Sequence, residues 1–420
     1  MNTIRLALKA REFMKKHLIM LTKQFPFQHR EQYVAHEIEV LAKHFERIYI
    51  YPHDHFGKKD ELTFELPPNV EVIDLNQNII PVAKSEVLKS FGRAFVYEFR
   101  KTHSVLWLIT NAMRFYSIYA TQYALGNGLM KFMKEKKLDQ QDTVFYSYWF
   151  SASALCLSIL KTRGLISKFV SRAHALDLYH EAWGLLNDKV RVLPFRYFKQ
   201  RHTDVIYAIS EHGKKYLEQK SALVNKVEVA YLGVHDFGLN PDSKSEPFTI
   251  VTCSGVDQNK RIHMLGQALR EINQHVRWIH FGDGPLKEQA LHSIAGSMVR
   301  MEYRGQTNNS TIRKFYSENH VDLFVNLSKV EGLPVTIMEA ISHGIPVLAT
   351  DANGTPEAIE GLRNGRLIRT DFTHRELVDQ LNWFLRYRGD LTVMRSESRK
   401  LFLDRFNAEK NYSAFARDIQ

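Results

Sequence analysis

Short apolar runs alternate with amphipathic stretches along the second half of the chain. The apolar runs predict five strands: FTIVTCS, VRWIHFG, MVRMEYRG, VDLFVNLS and IPVLAT. The stretches between and after them have apolar residues at helical spacing: KRIHMLGQALREI, PLKEQALHSI, STIRKFYSEN, PVTIMEAISH and ELVDQLNWFLRYR. Such alternation is typical of a parallel sheet with helices on both faces, so we predict a doubly wound α/β domain.

The first half repeats this pattern with longer interruptions. Its predicted strands are HLIMLT, RIYIYP, VEVIDL, TVFYSYW, KFVSRAH, DVIYAIS and VEVAYLG, and EQYVAHEIEVLAKHF predicts a helix. A helical insertion over about residues 82–137 separates the third strand from the fourth, and the polar run HDFGLNPDSKSEP divides the two halves. We therefore predict two Rossmann-like domains that face each other across a cleft, residues 1–240 and 241–420, with the last helix free to pack back on the first domain.

Composition excludes several classes of protein. The 420 residues are 44% hydrophobic and 25% charged, and two cysteines, Cys156 and Cys253, are too few for a disulfide scaffold or a four-cysteine metal site. The longest apolar-looking stretch, His103–Leu125, contains Asn111 and Arg114, so we predict no membrane-spanning helix. HLIMLT is too short for a secretory signal. We expect a cytoplasmic protein.

The net charge of +11 is unevenly distributed. The insertion, Pro81–Lys137, has 10 basic and 3 acidic residues, which indicates either an anionic partner or a solvated basic face. Its alternating basic and apolar residues fit a helix in the interface of an anionic membrane, on the inner face of the cell membrane, and equally a helix that packs on the core. These residues are Lys84, Lys89, Arg93, Arg100 and Lys101, alternating with Val87, Leu88, Phe91, Phe95, Val96 and Phe99.

Polar residues collect after the predicted strands of the second half. Because ligands of open parallel sheets bind beyond the carboxyl ends of the strands, these residues predict a site for an anionic ligand with hydroxyl groups. They are Ser254, Gly255, Lys260, Arg261, Gly282, Asp283, Gly284, Arg304, Gly305, Ser328, Glu331, Gly332 and the run Asp351–Glu357.

Two carboxylates eight residues apart, Glu331 and Glu339, are the most specific feature. We predict that Pro334 takes the first position of a helix that ends at Gly344, which leaves Glu331 beside free N–H groups at a terminus suited to phosphate. Glu339 lies among apolar residues, where a carboxylate needs a partner such as a diol. The alternatives are a surface acid paired with a base, for Glu339, and a carboxylate stabilised by the helix dipole, for Glu331.

The segment EGLPVTIMEAISHGIPVLATDANGTPEAI resembles the Glu-x7-Glu motif and the following Gly-x-Pro-Glu of retaining family 4 glycosyltransferases, which have the GT-B fold. KRI and GDGP match accompanying elements, so the specific resemblance covers about Thr249–Leu367. SRAHALDLY and YAISEHGKKYL give a weaker resemblance in the first half. Among family members, the chain is most similar to bacterial enzymes that build surface polysaccharides of the colanic-acid type.

The resemblance implies transfer of a sugar from a nucleotide diphosphate sugar to a saccharide or lipid-linked saccharide, with retention of configuration and without a metal or other cofactor. It assigns Glu339 to the ribose hydroxyls, Glu331 to a hydroxyl of the sugar, and Lys260 with Arg261 to the leaving diphosphate. His174 would face the sugar from the first domain. The remaining predicted donor-site residues are Gly255, Gly282, Gly284, Gly305, Ser328, Gly332, Leu333 and Pro334, the two glycines of GDGP admitting the nucleotide to the backbone.

The chain departs from the family pattern in two places. Val256 stands where members often have arginine, so either Arg261 supplies that charge or diphosphate binding is weaker. The N-terminal loop, commonly rich in glycine, is Phe25–Glu31 here, and its side chains disfavour close approach of a ligand to the backbone.

Other functions remain open or are excluded. A sugar-nucleotide epimerase or a sugar phosphorylase on the same fold remains open, as does a basic nucleic-acid-binding protein that uses the insertion. A nicotinamide-dependent oxidoreductase is disfavoured because Lys287 occupies the third glycine position after Gly282 and Gly284. His53-Asp54-His55 has no third ligand at metal-site spacing, so we predict a solvated loop there and no metal.

Overall fold

The computed structural model describes residues 16–27, 31–53, 62–74, 83–101, 110–179, 195–221, 226–242 and 247–420. Two parallel sheets, one in each half of the chain, organise these residues. The predicted α/β class is therefore confirmed.

The first sheet contains all seven strands predicted for the first half. Its order is β3-β2-β1-β4-β5-β6-β7, and every neighbouring pair is parallel. The strands are β1 (His17–Thr22), β2 (Arg47–Pro52), β3 (Val70–Val72), β4 (Thr143–Ser147), β5 (Val170–Ala173), β6 (Val205–Ala208) and β7 (Val227–Val229).

The second sheet contains the five predicted strands and one more. Its order is β10-β9-β8-β11-β12-β13, again parallel throughout. The strands are β8 (Phe248–Cys253), β9 (Val276–Phe281), β10 (Val299–Tyr303), β11 (Leu323–Asn326), β12 (Val347–Thr350) and the unpredicted β13 (Gly365–Ile368).

Helices cover both faces of each sheet. In the first half they are α1 (Gln32–Leu41), α2 (Lys84–Lys101), α3 (Ala112–Glu135), α4 (Ala152–Thr162), α5 (Ala175–Leu178), α6 (Arg196–His202) and α7 (Glu211–Ser221). In the second half they are α8 (Ile262–Arg270), α9 (Lys287–His292), α10 (Asn309–Glu318), α11 (Val335–Ser342), α12 (His374–Arg386), α13 (Leu391–Leu401) and α14 (Ala408–Ile419).

Alternate residues of the central strands enter cores on opposite faces of the sheet. In β1, Ile19 and Leu21 join one buried cluster, whereas Leu18 and Met20 join another. All four side chains are fully buried, because a strand covered on both faces has no solvent side. This explains why HLIMLT is continuously apolar.

Strand order creates a topological switch point in each sheet. In the first sheet, β1 lies between β2 and β4, and in the second sheet β8 lies between β9 and β11. The chain leaves the central strand in opposite directions on its two sides, so the loops that follow these strands diverge and leave a crevice. These crevices locate the candidate site.

The last helix, α14, packs against α1 of the first half. Lys43 and Glu409 form an ion pair at 2.6 Å, and the Tyr207 hydroxyl donates to Asp418 at 2.6 Å. The end of the chain therefore covers the first sheet as well as completing the second half.

The predicted insertion forms α2 and α3, although its segment 102–109 lies outside the described residues. The apolar residues of α2 divide into two sets. Val87, Phe91 and Phe95 belong to a buried aromatic cluster, whereas Leu88 and Val96 are exposed. Among the helices that the structure describes, none combines the length and apolarity that crossing a bilayer requires.

Candidate functional site

Lys260 and Glu331 meet at the switch point of the second sheet. Lys260 follows β8 and Glu331 follows β11, and the Lys260 ammonium forms an ion pair with a carboxylate oxygen of Glu331. The two side chains are 23% and 12% exposed, so the pair lines the crevice without being sealed in the core. The sequence predicted both residues for this edge, and the structure brings them into direct contact.

Asn259, which the sequence analysis missed, holds the two loops together. Its side-chain amide donates to the Val330 carbonyl at 3.1 Å and accepts from the Val330 N–H at 2.9 Å. The Lys329 N–H also donates to the Asn259 carbonyl at 3.0 Å. Asn259 is buried and adjoins Lys260, so it fixes the loop that presents the ion pair. A polar residue beside a predicted basic one was its only signal in the sequence.

Glu339 is buried in α11, eight residues after Glu331 in the sequence. It is 4% exposed, and burial raises the pKa of its carboxyl to about 7, against the opposing effect of Arg313. The Asn309 side-chain amide donates to it at 3.3 Å. Because neither contact is a close ion pair, the predicted alternative of a surface acid paired with a base is wrong. A buried carboxylate with spare acceptor capacity suits a ligand that brings hydroxyl donors.

The helix that contains Glu339 begins one residue later than predicted. Pro334 has φ −72° and ψ 113° and is the N-cap, and α11 starts at Val335. The extended ψ of Pro334 turns the chain into the helix, which corrects the assignment of this residue to the first helical position. The predicted end is confirmed: Gly344, with φ +73°, follows the last turn, and the Ile345 N–H bonds to the Ala340 carbonyl.

Gly332 brings the two halves of the chain into contact at the site. A Cβ atom on Gly332 would lie 2.9 Å from Ile209 Cδ1 and 3.0 Å from the Ala175 nitrogen, both residues of the first half. Gly332 adjoins Glu331, and Ala175 adjoins His174, so these two predicted residues come from segments in van der Waals contact. Leu333, the next residue, is buried in the core.

His174 lies at the predicted edge of the first sheet, but its ring is enclosed. It is 6% exposed, its ring centroid is 4.4 Å from that of Trp149 and 4.7 Å from that of Tyr148, and Nε2 donates to the Tyr148 carbonyl at 3.1 Å. Burial, together with Arg172, lowers the pKa of His174 well below its ordinary value. The imidazole is therefore neutral and hydrogen-bonded within the protein.

Glu31 organises the N-terminal loop at the first switch point. Its carboxylate accepts from the N–H groups of Gln24 at 2.5 Å and Phe25 at 2.7 Å, and from the indole N–H of Trp149. The Glu31 side chain thus holds this loop in shape. Residues 28–30 of the predicted loop lie outside the described residues.

Glu357 forms a second contact across the cleft. Its carboxylate accepts from the N–H groups of Glu211 at 2.9 Å and His212 at 2.8 Å, at the start of α7, and from the Tyr231 hydroxyl at 2.8 Å. A carboxylate at a helix N-terminus is stabilised by the unpaired N–H groups and the helix dipole. The glutamate of the Gly-x-Pro-Glu segment therefore orients the two halves relative to each other.

The GDGP glycines are required for packing between loops. A Cβ on Gly282 would lie 1.9 Å from the Ser254 carbonyl oxygen, and one on Gly284 would lie 2.5 Å from the Val256 carbonyl oxygen. The close backbone approach predicted for a nucleotide is thus made by the loop after β8. Val256 is buried in the core, while Gly255 has only loose neighbours, 3.6 Å or more away.

Arg261 corrects a prediction. Its guanidinium donates to the carbonyls of Leu327 at 2.5 Å, Thr370 at 2.6 Å and Ser328 at 3.3 Å, and it stacks on Phe372. The side chain is 5% exposed. Its hydrogen bonds tie the β11 loop to the loop after β13, so it does not share diphosphate neutralisation with Lys260.

The other predicted residues lie at the same edge. Gly305 has φ +64° and its carbonyl accepts from the Gly282 N–H at 2.8 Å. Ser328 is fully buried, and its hydroxyl has no hydrogen-bond partner among the described residues. His53 corrects the prediction of a solvated loop, since it is buried with Nδ1 2.6 Å from the Thr22 carbonyl oxygen. Asp54 and His55 lie outside the described residues, and in the described part of the chain no carboxylate, histidine or cysteine cluster forms a metal site.

Comparison with known proteins agrees with this arrangement. Residues 247–386 match the family model "Glycosyl transferases group 1". The putative colanic acid biosynthesis glycosyltransferase WcaL of Escherichia coli K12 is 24% identical over 180 residues, which are 40% of this chain and 44% of WcaL. The amylovoran biosynthesis glycosyltransferase AmsK of Erwinia amylovora is 24% identical over 229 residues, 52% of this chain and 55% of AmsK. The chain spans about half the length of the curated relatives it matches.

Solved structures show the fold of the whole chain. The lipopolysaccharide outer core galactosyltransferase WaaB has a TM-score of 0.65 at 15% identity, over 96% of this chain and 99% of WaaB. Anabaena HepE in complex with UDP-glucose has a TM-score of 0.64 at 15% identity, over 96% and 99%. The chain has the GT-B fold, as the sequence predicted.

Proposed function

We propose that this protein is a glycosyltransferase of surface polysaccharide biosynthesis. It transfers a hexosyl group from a nucleotide diphosphate sugar to a saccharide or lipid-linked saccharide acceptor, with retention of configuration and without a metal. The names of the relatives support the reaction class and pathway, and the UDP-glucose complex of HepE supports a nucleotide sugar donor. Retention follows from the motif resemblance.

One observation carries the proposal. At the switch point of the second sheet, the Lys260–Glu331 pair lies in the crevice, and the buried carboxylate of Glu339 lies eight residues further along. Lys260 supplies a positive charge for a diphosphate, and the two carboxylates supply acceptors for hydroxyl groups. A nucleotide diphosphate sugar carries all three matching groups, on its phosphates, its ribose and its transferred sugar.

The reaction requires a diphosphate to leave while positive charge develops on the sugar ring. In our proposal Glu339 accepts from the ribose hydroxyls and Glu331 from a sugar hydroxyl, which releases the Lys260 ammonium toward the diphosphate. Backbone N–H groups at Gly332 and Leu333 add preorganised donors to the departing charge. His174, beside the Ala175–Gly332 contact, lines the sugar from the first half.

Ligand binding followed by product analysis tests this function. A panel of nucleoside diphosphates, with the monophosphates as controls, should contain one diphosphate that raises the melting temperature, because a ligand of the native state at a hundredfold its Kd stabilises by about 2.7 kcal/mol. The matching nucleotide sugar is then incubated with saccharide acceptors, and NMR of the product assigns the anomeric configuration. If no diphosphate stabilises the protein, the proposal is wrong.

The same experiment separates the remaining alternatives. An epimerase converts the nucleotide sugar without any acceptor, and a phosphorylase requires inorganic phosphate. Glycosyl transfer needs the acceptor and releases the nucleoside diphosphate. Conversion of the nucleotide sugar without acceptor would therefore replace the proposed function with the epimerase, and a reaction that requires inorganic phosphate would replace it with the phosphorylase.

A further inference from the structure

A basic pocket of about 890 Å³ lies in the first half of the chain, between α2, α3, α4 and α6. Six of its lining residues are cationic, and we call them the basic set. The basic set consists of Lys89, Arg93, Arg100, Lys101, Arg163 and Arg201. Neither Arg163 nor Arg201 belongs to the insertion, so tertiary packing extends the positive charge beyond what the sequence of α2 shows.

The pocket lies at the sheet edge opposite the candidate site. Arg163 follows the last residue of α4, before β5, and Arg201 is in the last turn of α6, before β6. Helices that connect parallel strands return the chain to the edge where the next strand begins. The Lys260–Glu331 site is at the carboxyl edge of the other sheet, so the pocket is not part of the donor site.

Negative charge in the pocket is scarce. Its one lining carboxylate, Glu86, is bound by the Tyr123 hydroxyl and lies 3.7 Å from Arg163. Within the part of the chain that the structure describes, Lys89, Arg93 and Arg100 form no ion pair. Four cations on one helix and two more opposite them repel one another, so an anion in the pocket lowers the electrostatic energy.

Aromatic rings orient the two arginines from the neighbouring helices. The Arg163 guanidinium lies 4.2 Å from the centroid of Tyr123, and the Arg201 guanidinium lies 5.2 Å from that of Tyr97. The Arg163 guanidinium also donates to Asn127 Oδ1 at 2.6 Å. A guanidinium held by its face on a ring presents its remaining N–H groups for hydrogen bonds to phosphate. The pocket therefore matches phosphate in geometry as well as in charge.

An exposed apolar stripe adjoins the pocket on α2. Leu88, Val96 and Phe99 are 58%, 49% and 37% exposed, and at about 100° per residue they fall within roughly 80° of the helix circumference. Lys89, Arg93 and Arg100 occupy the next sector, about 100–140° from Leu88. One helix thus presents an apolar stripe and, directly beside it, cations that line the basic pocket.

We propose that α2 docks the protein on an anionic lipid bilayer, with lipid phosphate groups in the pocket and the apolar stripe in the interface. The stripe selects this occupant, because a soluble polyanion or a nucleic acid satisfies the basic set but gains nothing from three exposed apolar side chains. The set of Leu88, Val96 and Phe99 replaces the larger predicted set. The sequence prediction also placed Val87, Phe91 and Phe95 in the membrane, whereas these three pack in the protein interior. The docking needs neither the sugar donor nor the acceptor, so it is tested independently of the proposed function.

Co-sedimentation of the full chain with vesicles tests the proposal. The vesicles are phosphatidylcholine with or without roughly one-third phosphatidylglycerol, at low and at high salt. We expect binding only to the anionic vesicles, with release at high salt. The pocket variant K89Q/R93Q/R100Q should partition on the order of a hundredfold more weakly, since each cation near an anionic surface contributes about fivefold. The stripe variant L88Q/V96Q/F99Q should also bind anionic vesicles more weakly at low salt, although it retains all six cations of the basic set.

A matched control removes the same charge elsewhere. K314Q/R363Q/R375Q neutralises three exposed basic side chains of the second half, which are 71%, 71% and 81% exposed, and should bind vesicles as the unmodified protein does. Circular dichroism and melting temperatures establish that all variants are folded. Absence of vesicle binding by the unmodified protein overturns the proposal, as does equal loss in the control. Tight binding of a single-stranded DNA oligonucleotide that the stripe variant retains, without vesicle binding, assigns the pocket to nucleic acid instead.

Discussion

At the scale of single residues, the buried carboxylate of Glu339 lowers the stability of the folded state, and a role in ligand binding would explain its presence there. Its folded pKa of about 7 exceeds the ordinary 4.5, so the folded state resists ionisation of this carboxyl. This penalty on the stability of the folded state is absent below pH about 4.5 and fully present above pH about 7, where it amounts to about 3 kcal/mol. Glu339 is therefore a functional candidate on energetic grounds.

We predict that E339Q acts in opposite directions on stability and on binding. It should raise the free energy of unfolding by up to about 3 kcal/mol at pH about 8 and by much less at pH about 5, because the amide carries no charge to bury. It should weaken nucleoside diphosphate binding by about 1.5–3 kcal/mol, through loss of one charged hydrogen bond. Melting curves at the two pH values and calorimetry measure the two effects. Unchanged affinity would remove Glu339 from the donor site.

Lys260 and Arg261 are adjacent, yet the structure predicts different consequences for their loss. K260A should lower turnover by a factor equivalent to about 3–4 kcal/mol, the usual contribution of one preorganised donor, with K260R as the control that retains the charge. R261A should instead lower the free energy of unfolding by about 2–4 kcal/mol, since the Leu327 and Thr370 carbonyls lose the Arg261 donor and the Ser328 carbonyl keeps only the Thr350 hydroxyl. Urea unfolding and single-turnover assays separate them. A stable but inactive R261A protein would restore the sequence prediction.

At the scale of elements, Glu357 couples a short turn of the second half to the start of α7 and to Tyr231. E357A should cost about 2 kcal/mol of stability, because charge-assisted bonds to two N–H groups are lost. Y231F removes one neutral donor and should cost about 1 kcal/mol. Denaturant unfolding gives both values. Small-angle scattering should show a larger radius of gyration for E357A alone, whereas equal radii would show that other contacts orient the two halves.

At the scale of the whole molecule, the end of the chain stabilises its beginning. The buried ion pair of Arg172 and Glu37 lies under α14, where the Arg172 guanidinium is 4.2 Å from the ring centroid of Phe415. F415A should therefore destabilise the protein by about 3–5 kcal/mol, the usual cost of truncating a buried aromatic residue, and F415L by less.

Deletion of residues 408–420 tests the same coupling more directly. It removes nothing from the first sheet, but it uncovers the Arg172–Glu37 pair, so melting should begin at a lower temperature and limited proteolysis should cut within the first half. Cleavage confined to the second half would contradict this role of α14.

Much of the fold and part of the candidate site follow from the sequence alone. Twelve of the strands were predictable because a buried strand is continuously apolar and its neighbours along the chain are turns and amphipathic helices. The parallel order then places the residues after each strand at one edge, which is why Lys260 and Glu331 were predicted together. Glu331 precedes a predicted helix and Glu339 lies eight residues later, inside it. The sequence therefore also placed Glu339 among the apolar residues of that helix. These are local patterns, determined by residues close in the chain.

Tertiary packing decided the rest, because burial and pairing depend on residues far apart in the chain. β13 begins at Gly365, where a Cβ would lie 2.1 Å from the Val347 carbonyl oxygen, and no pattern within GRLI reveals that neighbour. Arg261 takes a different role from its neighbour Lys260 because the carbonyls of Leu327, Ser328 and Thr370 lie beside its guanidinium and accept from it. In α2, the sequence presents one apolar set, and contact with α3 and α6 decides which of those side chains enter the core and which stay exposed. A local pattern determines what a residue can do; its distant neighbours determine which of those roles it takes.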